Sequence, residues 1–134
     1  MLVLDEQLLG RGLETVLGRW YHGPILFITE LRPNTIIKDE AIPTLLHQQH
    51  SATFITINES DFWRRVVMAR HYCVICFALP DSQVSELPAL LRAVFRHPLF
   101  HTKAQRMGKV LRVTRTTISY YSLRERQVQS VALQ

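Results

Sequence analysis

The sequence predicts an α/β fold in three layers: a mostly parallel central sheet, helices on both of its faces, and a C-terminal β-hairpin. Three observations predict it. Four short apolar runs, "LVL" at 2–4, "ILFI" at 25–28, "TFITI" at 53–57 and "CVICFAL" at 73–79, are uninterrupted, as strands covered on both faces are. The stretches between them carry apolar residues at helical spacing, which gives the alternation of strand and helix that builds a parallel sheet. The last third instead holds two runs that alternate in polarity, "KVLRVT" at 109–114 and "TISYYS" at 117–122, separated by Arg115 and Thr116. That pattern predicts two half-exposed strands joined by a tight turn.

Each element follows from its residues. After the first strand a helix is expected from about Glu6, with Leu9, Leu13, Val16 and Leu17 on one face and Gly18 or Gly23 as its stop. Gly23-Pro24 punctuates the turn into the second strand, and "TELRPNT" at 29–35 is expected to be a loop. A helix begins near Asp39, because Pro43 fits only near a helix start; Leu45 and Leu46 form its inner face. The third strand is rich in β-branched residues. Ser60 is a candidate N-cap, which sets Asp61 in the first helical turn, with Phe62 and Val66 turned inward. Ser85 is a candidate cap for a further helix that tolerates Pro88 in its first turn, and Leu87, Leu90, Leu91, Val94 and Phe95 form its apolar stripe.

A chain of 134 residues suits a single domain, with an acidic-site core over residues 1–80 and a basic extension over 96–134. Apolar residues make up 47% and charged residues 20%, a globular balance. No run is long and apolar enough to span a bilayer. "MLVLDEQLLGRG" lacks a basic leader, and Asp5 and Glu6 interrupt its apolar stretch, so a cytoplasmic protein is expected. Cys73 and Cys76 lie three apart on a strand, facing opposite sides, so two buried free thiols are expected rather than a chelating pair. The net charge of +5 is uneven: residues 1–95 hold 8 Lys and Arg against 10 Asp and Glu, whereas residues 96–134 hold 8 against Glu125 alone. The basic third can meet phosphate; its alternatives are a solvated surface or a patch for an acidic partner.

The carboxylates carry the functional reading. Ligands of open parallel sheets bind beyond the carboxyl ends of the strands. Asp5 and Glu6 follow the first strand, Asp39 and Glu40 open the helix after the second, and Asn58, Glu59 and Asp61 follow the third. Like charges on one edge repel, and a hard divalent cation, Mg²⁺ or Mn²⁺, relieves that cost through oxygen ligands. Such an ion suits the hydrolysis of a phosphodiester. Taken singly, Asp39 and Asp61 are also ordinary helix-start residues; Asp5, hard against a buried strand, is costly without a partner. The pairs His47/His50 and His97/His101 lack a third ligand and are expected at the surface. "LGRG" at 9–12 lacks the lysine and spacing of a phosphate-binding loop.

Three stretches resemble the PIN-like nuclease superfamily, and more narrowly the compact bacterial PIN-like proteins related to the VapC toxins. "LVLDEQL" is similar to the family's opening strand and first acid, "IIKDEAIPTLL" to its second acidic helix start, and "FITINESDFW" to its "T-x-D-x-D-F" stretch. The likeness covers about the first 80 residues. It implies a Rossmann-like PIN fold and Mg²⁺- or Mn²⁺-dependent cleavage of RNA. A toxin role with a small antitoxin protein as partner is often implied too. A homodimer is the further assembly considered. Carried over, Asp5, Glu40 and Asp61 are the catalytic and metal-binding residues. Asp39 is the rival to Glu40, with Asn58 and Glu59 assisting. Lys103, Arg106, Lys109 and Arg112 are expected to hold the RNA backbone. Asn58 stands where the family usually has Asp, and the spacing to Asp61 is one residue longer. The alternative is therefore a non-catalytic RNA- or protein-binding module with a degenerate acidic site. A phospho-acceptor receiver domain fits less well, because the third strand ends in Thr56-Ile57-Asn58 where that class needs Asp.

Overall fold

A computed structural model describes residues 1–33, 37–57 and 62–134, with Asp39 described in its backbone alone. One seven-stranded sheet organises the chain. Its strands are β1 (Leu2–Leu4), β2 (Ile25–Phe27), β3 (Ala52–Thr56), β4 (Tyr72–Phe77), β5 (Lys109–Val113), β6 (Thr117–Ser122) and β7 (Gln129–Ala132), in the order β2-β1-β3-β4-β5-β6-β7. The first five run parallel; at one edge β6 pairs antiparallel with β5, and β7 antiparallel with β6. The predicted hairpin is present: β5 and β6 pair, and the Thr114 amide donates to the Thr117 carbonyl across the turn at Arg115 and Thr116. The sequence reading did not include β7.

Helices cover both faces. On one lie α1 (Leu13–Gly18), α5 (Leu87–Arg96) and α6 (Lys103–Arg106). Leu13, Leu17, Leu87, Leu91 and Val94 there meet Leu2, Leu4, Ile55, Ile75 and Leu111 of the sheet. The other face carries α2 (Ile28–Leu31), α3 (Ile42–His47) and α4 (Phe62–Arg65), where Ile42, Leu45, Leu46, Phe62 and Val66 meet Val3, Phe54, Val74 and Val110. Period-two alternation assigns each strand residue to one of these cores. Cys73 falls in the first and Cys76 in the second, and both are buried free thiols, as expected.

The connections are not uniform. From β1 to β2 the chain moves toward one edge over the α1 face; from β2 to β3 and from β3 to β4 it moves the other way over the α3/α4 face, which is the same hand. From β4 to β5 it continues in that direction but crosses the α1/α5 face. This last crossover has the opposite hand to the other three, a rare arrangement, since parallel crossovers nearly always share one hand.

Four local expectations are corrected. The helix from Glu6 is split. A 3-10 turn spans Glu6–Leu8, and α1 starts only at Leu13, because Gly10 and Gly12 adopt left-handed φ of 74° and 71° that carry the chain out of the helix. Leu9 and Val16 are consequently exposed. Part of the expected loop at 29–35 is α2. Ser85 lies inside a 3-10 segment, Asp81–Glu86, that leads into α5, so it caps nothing. And β2 is only half-buried, because it lies at the sheet edge. Pro43 and Pro88 stand in the first turns of α3 and α5, as expected. Among the described residues, no helix is long and apolar enough to cross a membrane.

Candidate functional site

The strand order places a topological switch point between β1 and β3. From β1 the chain leaves toward β2, and from β3 it leaves toward β4 in the opposite direction. Open α/β sheets bind their ligands at such a point. Asp5 is the first residue beyond β1 there. Its amide donates to the Ile55 carbonyl at 2.9 Å, which continues the β1–β3 ladder by one step. Its side chain therefore projects on the α3/α4 face, opposite Leu4.

Asp5 is 8% exposed. Burying a carboxylate is costly unless it is hydrogen-bonded. Here the Thr56 hydroxyl donates to Oδ2 at 2.6 Å, and the Glu6 amide donates to Oδ1 at 2.8 Å. The second bond caps the 3-10 turn Glu6–Leu8, whose Leu8 amide returns to the Asp5 carbonyl at 2.9 Å. Charge-assisted bonds of this length are the strong kind. They fix the rotamer of Asp5.

Thr56 extends the site sideways. It pairs in register with Cys76 of β4, Cys76 with Arg112 of β5, Arg112 with Ser119 of β6, and Ser119 with Ser130 of β7. Strand pairing in register keeps these side chains on one face. A single polar row thus crosses the sheet near its carboxyl end, from Asp5 through Thr56, Cys76 and Arg112 to Ser119 and Ser130. The last two hydroxyls lie 3.0 Å apart. Below this row, Val3, Phe54, Val74 and Val110 on the same face are wholly buried and apolar. Asp5 and Arg112 are the members of this row that the sequence predicts as site residues; Thr56, expected as a strand end, and Cys76, expected as a buried thiol, join them. The signal was available as alternation: each sits two residues after a core residue of its strand.

The other predicted acids are placed differently. Glu40 lies on a 3-10 turn, Asp39–Ala41, that precedes α3; it is exposed, and its side chain makes no hydrogen bond or ion pair among the described residues. Asn58, Glu59 and Asp61, and the candidate cap Ser60, lie outside the described residues, as does the Asp39 side chain. Among the described residues no group of three or more His, Cys, Asp and Glu comes together. The donors at Asp5 and Thr56 are oxygens, a chemistry that fits a hard divalent cation, and the described residues there supply one carboxylate toward it.

The basic set Lys103, Arg106, Lys109 and Arg112 does not form one surface. Arg106 is 9% exposed. Its guanidinium donates to the carbonyls of Phe100 and His101 at 2.9 and 3.0 Å and stacks 4.0 Å from the Phe95 ring centre. Its expected role on RNA is corrected to one of holding α6 against α5; burial also lowers its pKa. Lys109 reaches over Phe100 on the α1/α5 face, while Arg112, three residues on, belongs to the other face. Lys103 is exposed at the start of α6. Arg115 is bound to Glu86 at 2.7 Å. The histidines serve local structure: His97 joins the carbonyl of Ala132, His101 that of Phe95, and the rings of His47 and His71 are in contact.

Comparison with protein-family models, with curated proteins and with solved structures found no match.

Proposed function

We propose that this chain is a PIN-like, Mg²⁺- or Mn²⁺-dependent ribonuclease whose site is anchored on Asp5. The observation that carries the reading is a buried carboxylate, held at both oxygens, at the switch point of an open parallel sheet. A stability role alone would be served as well by an apolar residue there, since buried charge costs more than it returns. An oriented carboxylate at a ligand-binding crevice is the feature such hydrolases need. Asp5 with Asp61 and with Glu40 or Asp39 would hold the ion, and Asn58 or Glu59 would assist. The ion, when bound, supplies charge neutralisation at a phosphodiester and acidifies a coordinated water. Thr56 orients Asp5. Arg112, in the same row, is suited to the phosphate itself, because a guanidinium matches phosphate geometry in a bidentate way. RNA is the proposed substrate and a small antitoxin protein the proposed partner.

A second reading, a non-catalytic binding module, is favoured by the exposure of Glu40 and by Asn58 in place of an acid. Calorimetric titration with Mn²⁺ separates the two. The nuclease reading predicts a heat of binding that is lost in Asp5→Asn, whose fold circular dichroism checks. No heat in the wild-type protein supports the module.

A further inference from the structure

Away from Asp5, on the opposite face of the sheet, a groove of about 1050 Å³ runs along the outer side of α5. The end of α1 forms one wall and the C-terminal residues of and after β7 form the other. Ala89 and Ala93 lie along it, with Pro88 and Pro98 toward its ends. These short side chains make a smooth surface about 15 Å long. His97 holds the far wall: the Leu99 amide donates to Nδ1, so the neutral ring carries its proton on Nε2, which donates to the Ala132 carbonyl at 3.0 Å.

Three arginines line this groove: Arg19 from the end of α1, and Arg92 and Arg96 one turn apart on α5. All three are exposed. Among the described residues, none of the three takes part in an ion pair or a side-chain hydrogen bond. No lining residue is Asp or Glu. By contrast, the nearby Arg11 and Arg115 are each bound to an acid, Asp81 and Glu86. Three guanidinium groups gathered in one groove are a cost that an anionic occupant relieves. Trp20 stands on the same wall as Arg19, its ring braced edge-on by Phe95 with centres 5.9 Å apart.

We infer that this groove binds single-stranded nucleic acid, with the arginines on the phosphates and a base against Trp20. Sites for single strands combine a cationic groove with an aromatic stacking platform. An acidic amphipathic helix is the rival occupant, but it needs sockets for its apolar knobs. The alanines and prolines here offer a smooth surface suited to planar rings. Arg92 and Arg96 are about 6 Å apart on the helix surface and can engage neighbouring positions of one strand. This inference does not depend on the nuclease reading, because no residue of the groove belongs to the Asp5 site.

The test is binding of a fluorescent oligouridylate of about 12 nucleotides in EDTA, where divalent ions are removed, as a function of salt. The wild type is compared with the triple variant Arg19→Gln/Arg92→Gln/Arg96→Gln and with Asp5→Asn. The three arginines are exposed, so the triple variant retains its fold, which circular dichroism checks. The expected result is a loss of affinity of tenfold or more at low salt, with a log–log salt dependence shallower by about 2, given roughly 0.7 per phosphate contact on a single strand. Asp5→Asn is expected to bind like wild type. In Trp63→Phe, which leaves Trp20 as the sole tryptophan, the oligonucleotide is expected to quench fluorescence. Equal affinity and salt dependence in the triple variant would overturn the inference, as would poly-glutamate binding the wild type where oligouridylate does not. Failure of the nuclease reading shows separately, as RNA cleavage unchanged by Asp5→Asn.

Discussion

The Thr56 hydroxyl donates to Oδ2 of Asp5 across 2.6 Å, joining the ends of β1 and β3 at the point where the chain leaves the sheet in two directions. The bond links residues 51 apart in sequence and sits inside the protein. Thr56→Val keeps the shape and removes the donor. Its expected cost is about 2 kcal/mol, the range for a hydrogen bond to a charged group, with Thr56→Ser closer to wild type. Urea unfolding measures this, and a Thr56→Val protein as stable as wild type would contradict it. On the nuclease reading, the same variant also loses about 10- to 100-fold in activity, as loss of an orienting partner does at metal sites.

Arg106 is assigned to structure. Arg106→Ala removes one buried and one part-buried hydrogen bond to carbonyls and the stacking on Phe95. A loss of about 2–4 kcal/mol is expected. Oligonucleotide binding by the folded fraction is expected to stay unchanged. Preserved stability together with weakened binding would return Arg106 to the nucleic-acid surface.

The Cys73 thiol is wholly buried, and burial pushes its pKa up to about 12. A raised native pKa contributes stability that is present below the unfolded value, near 9, and is lost as pH rises toward 12. Tyr72, also raised to about 12 by burial, acts in the upper part of the same window, from its ordinary 10. Stability is therefore expected to fall between pH 9 and 12, and at pH 8 a thiol reagent should label neither Cys73 nor Cys76 until urea is added. Fast labelling of the native protein would show that the two cores are open.

Glu86 is held below its ordinary carboxylate range by the hydrogen bond from Arg115. A depressed native pKa contributes stability above the unfolded value that is lost as pH falls through the native one. The pair is exposed, so the energetic effect is small; the position of the titration is the useful readout. NMR titration is expected to give a Glu86 midpoint below 4.5 in the wild type and an ordinary one in Arg115→Gln. Identical midpoints would remove the pair from the link between the β5–β6 turn and the segment before α5.

Much of the architecture is written in the sequence through periodicity. The runs at 53–57 and 73–79 carry no charged residue, and β3 and β4 are buried at every position because both of their faces are covered. The stripe at Leu87, Leu91 and Val94 is legible because α5 spans nearly three turns. Short elements escape this logic. Six-residue α1 and four-residue α2 are too brief for a helical repeat, and their limits are set by Gly10, Gly12 and tertiary contact. Gln129–Ala132 has little apolar signal because three of its four residues are exposed at the sheet edge.

At the site, Asp5 was legible as a charge placed against a buried strand. Its partner Thr56 was not, because β3 had to be aligned with β1 before the two could be seen as neighbours. Arg106 misled for the opposite reason. Charge type alone points outward, whereas the turn between α5 and α6 leaves carbonyls of Phe100 and His101 that need a donor. Arg19 and Arg92 escaped notice because they lie in the part of the chain whose summed charge is negative, and only the fold brings them beside Arg96.

The most direct test of the Asp5 site is cleavage of single-stranded RNA with Mn²⁺, compared between wild type and Asp5→Asn under conditions where both bind the RNA. Cleavage by the wild type, abolished by EDTA and reduced more than about 100-fold in Asp5→Asn, is the predicted result. Equal cleavage by the two proteins, or none by the wild type at saturating RNA and metal, would contradict it.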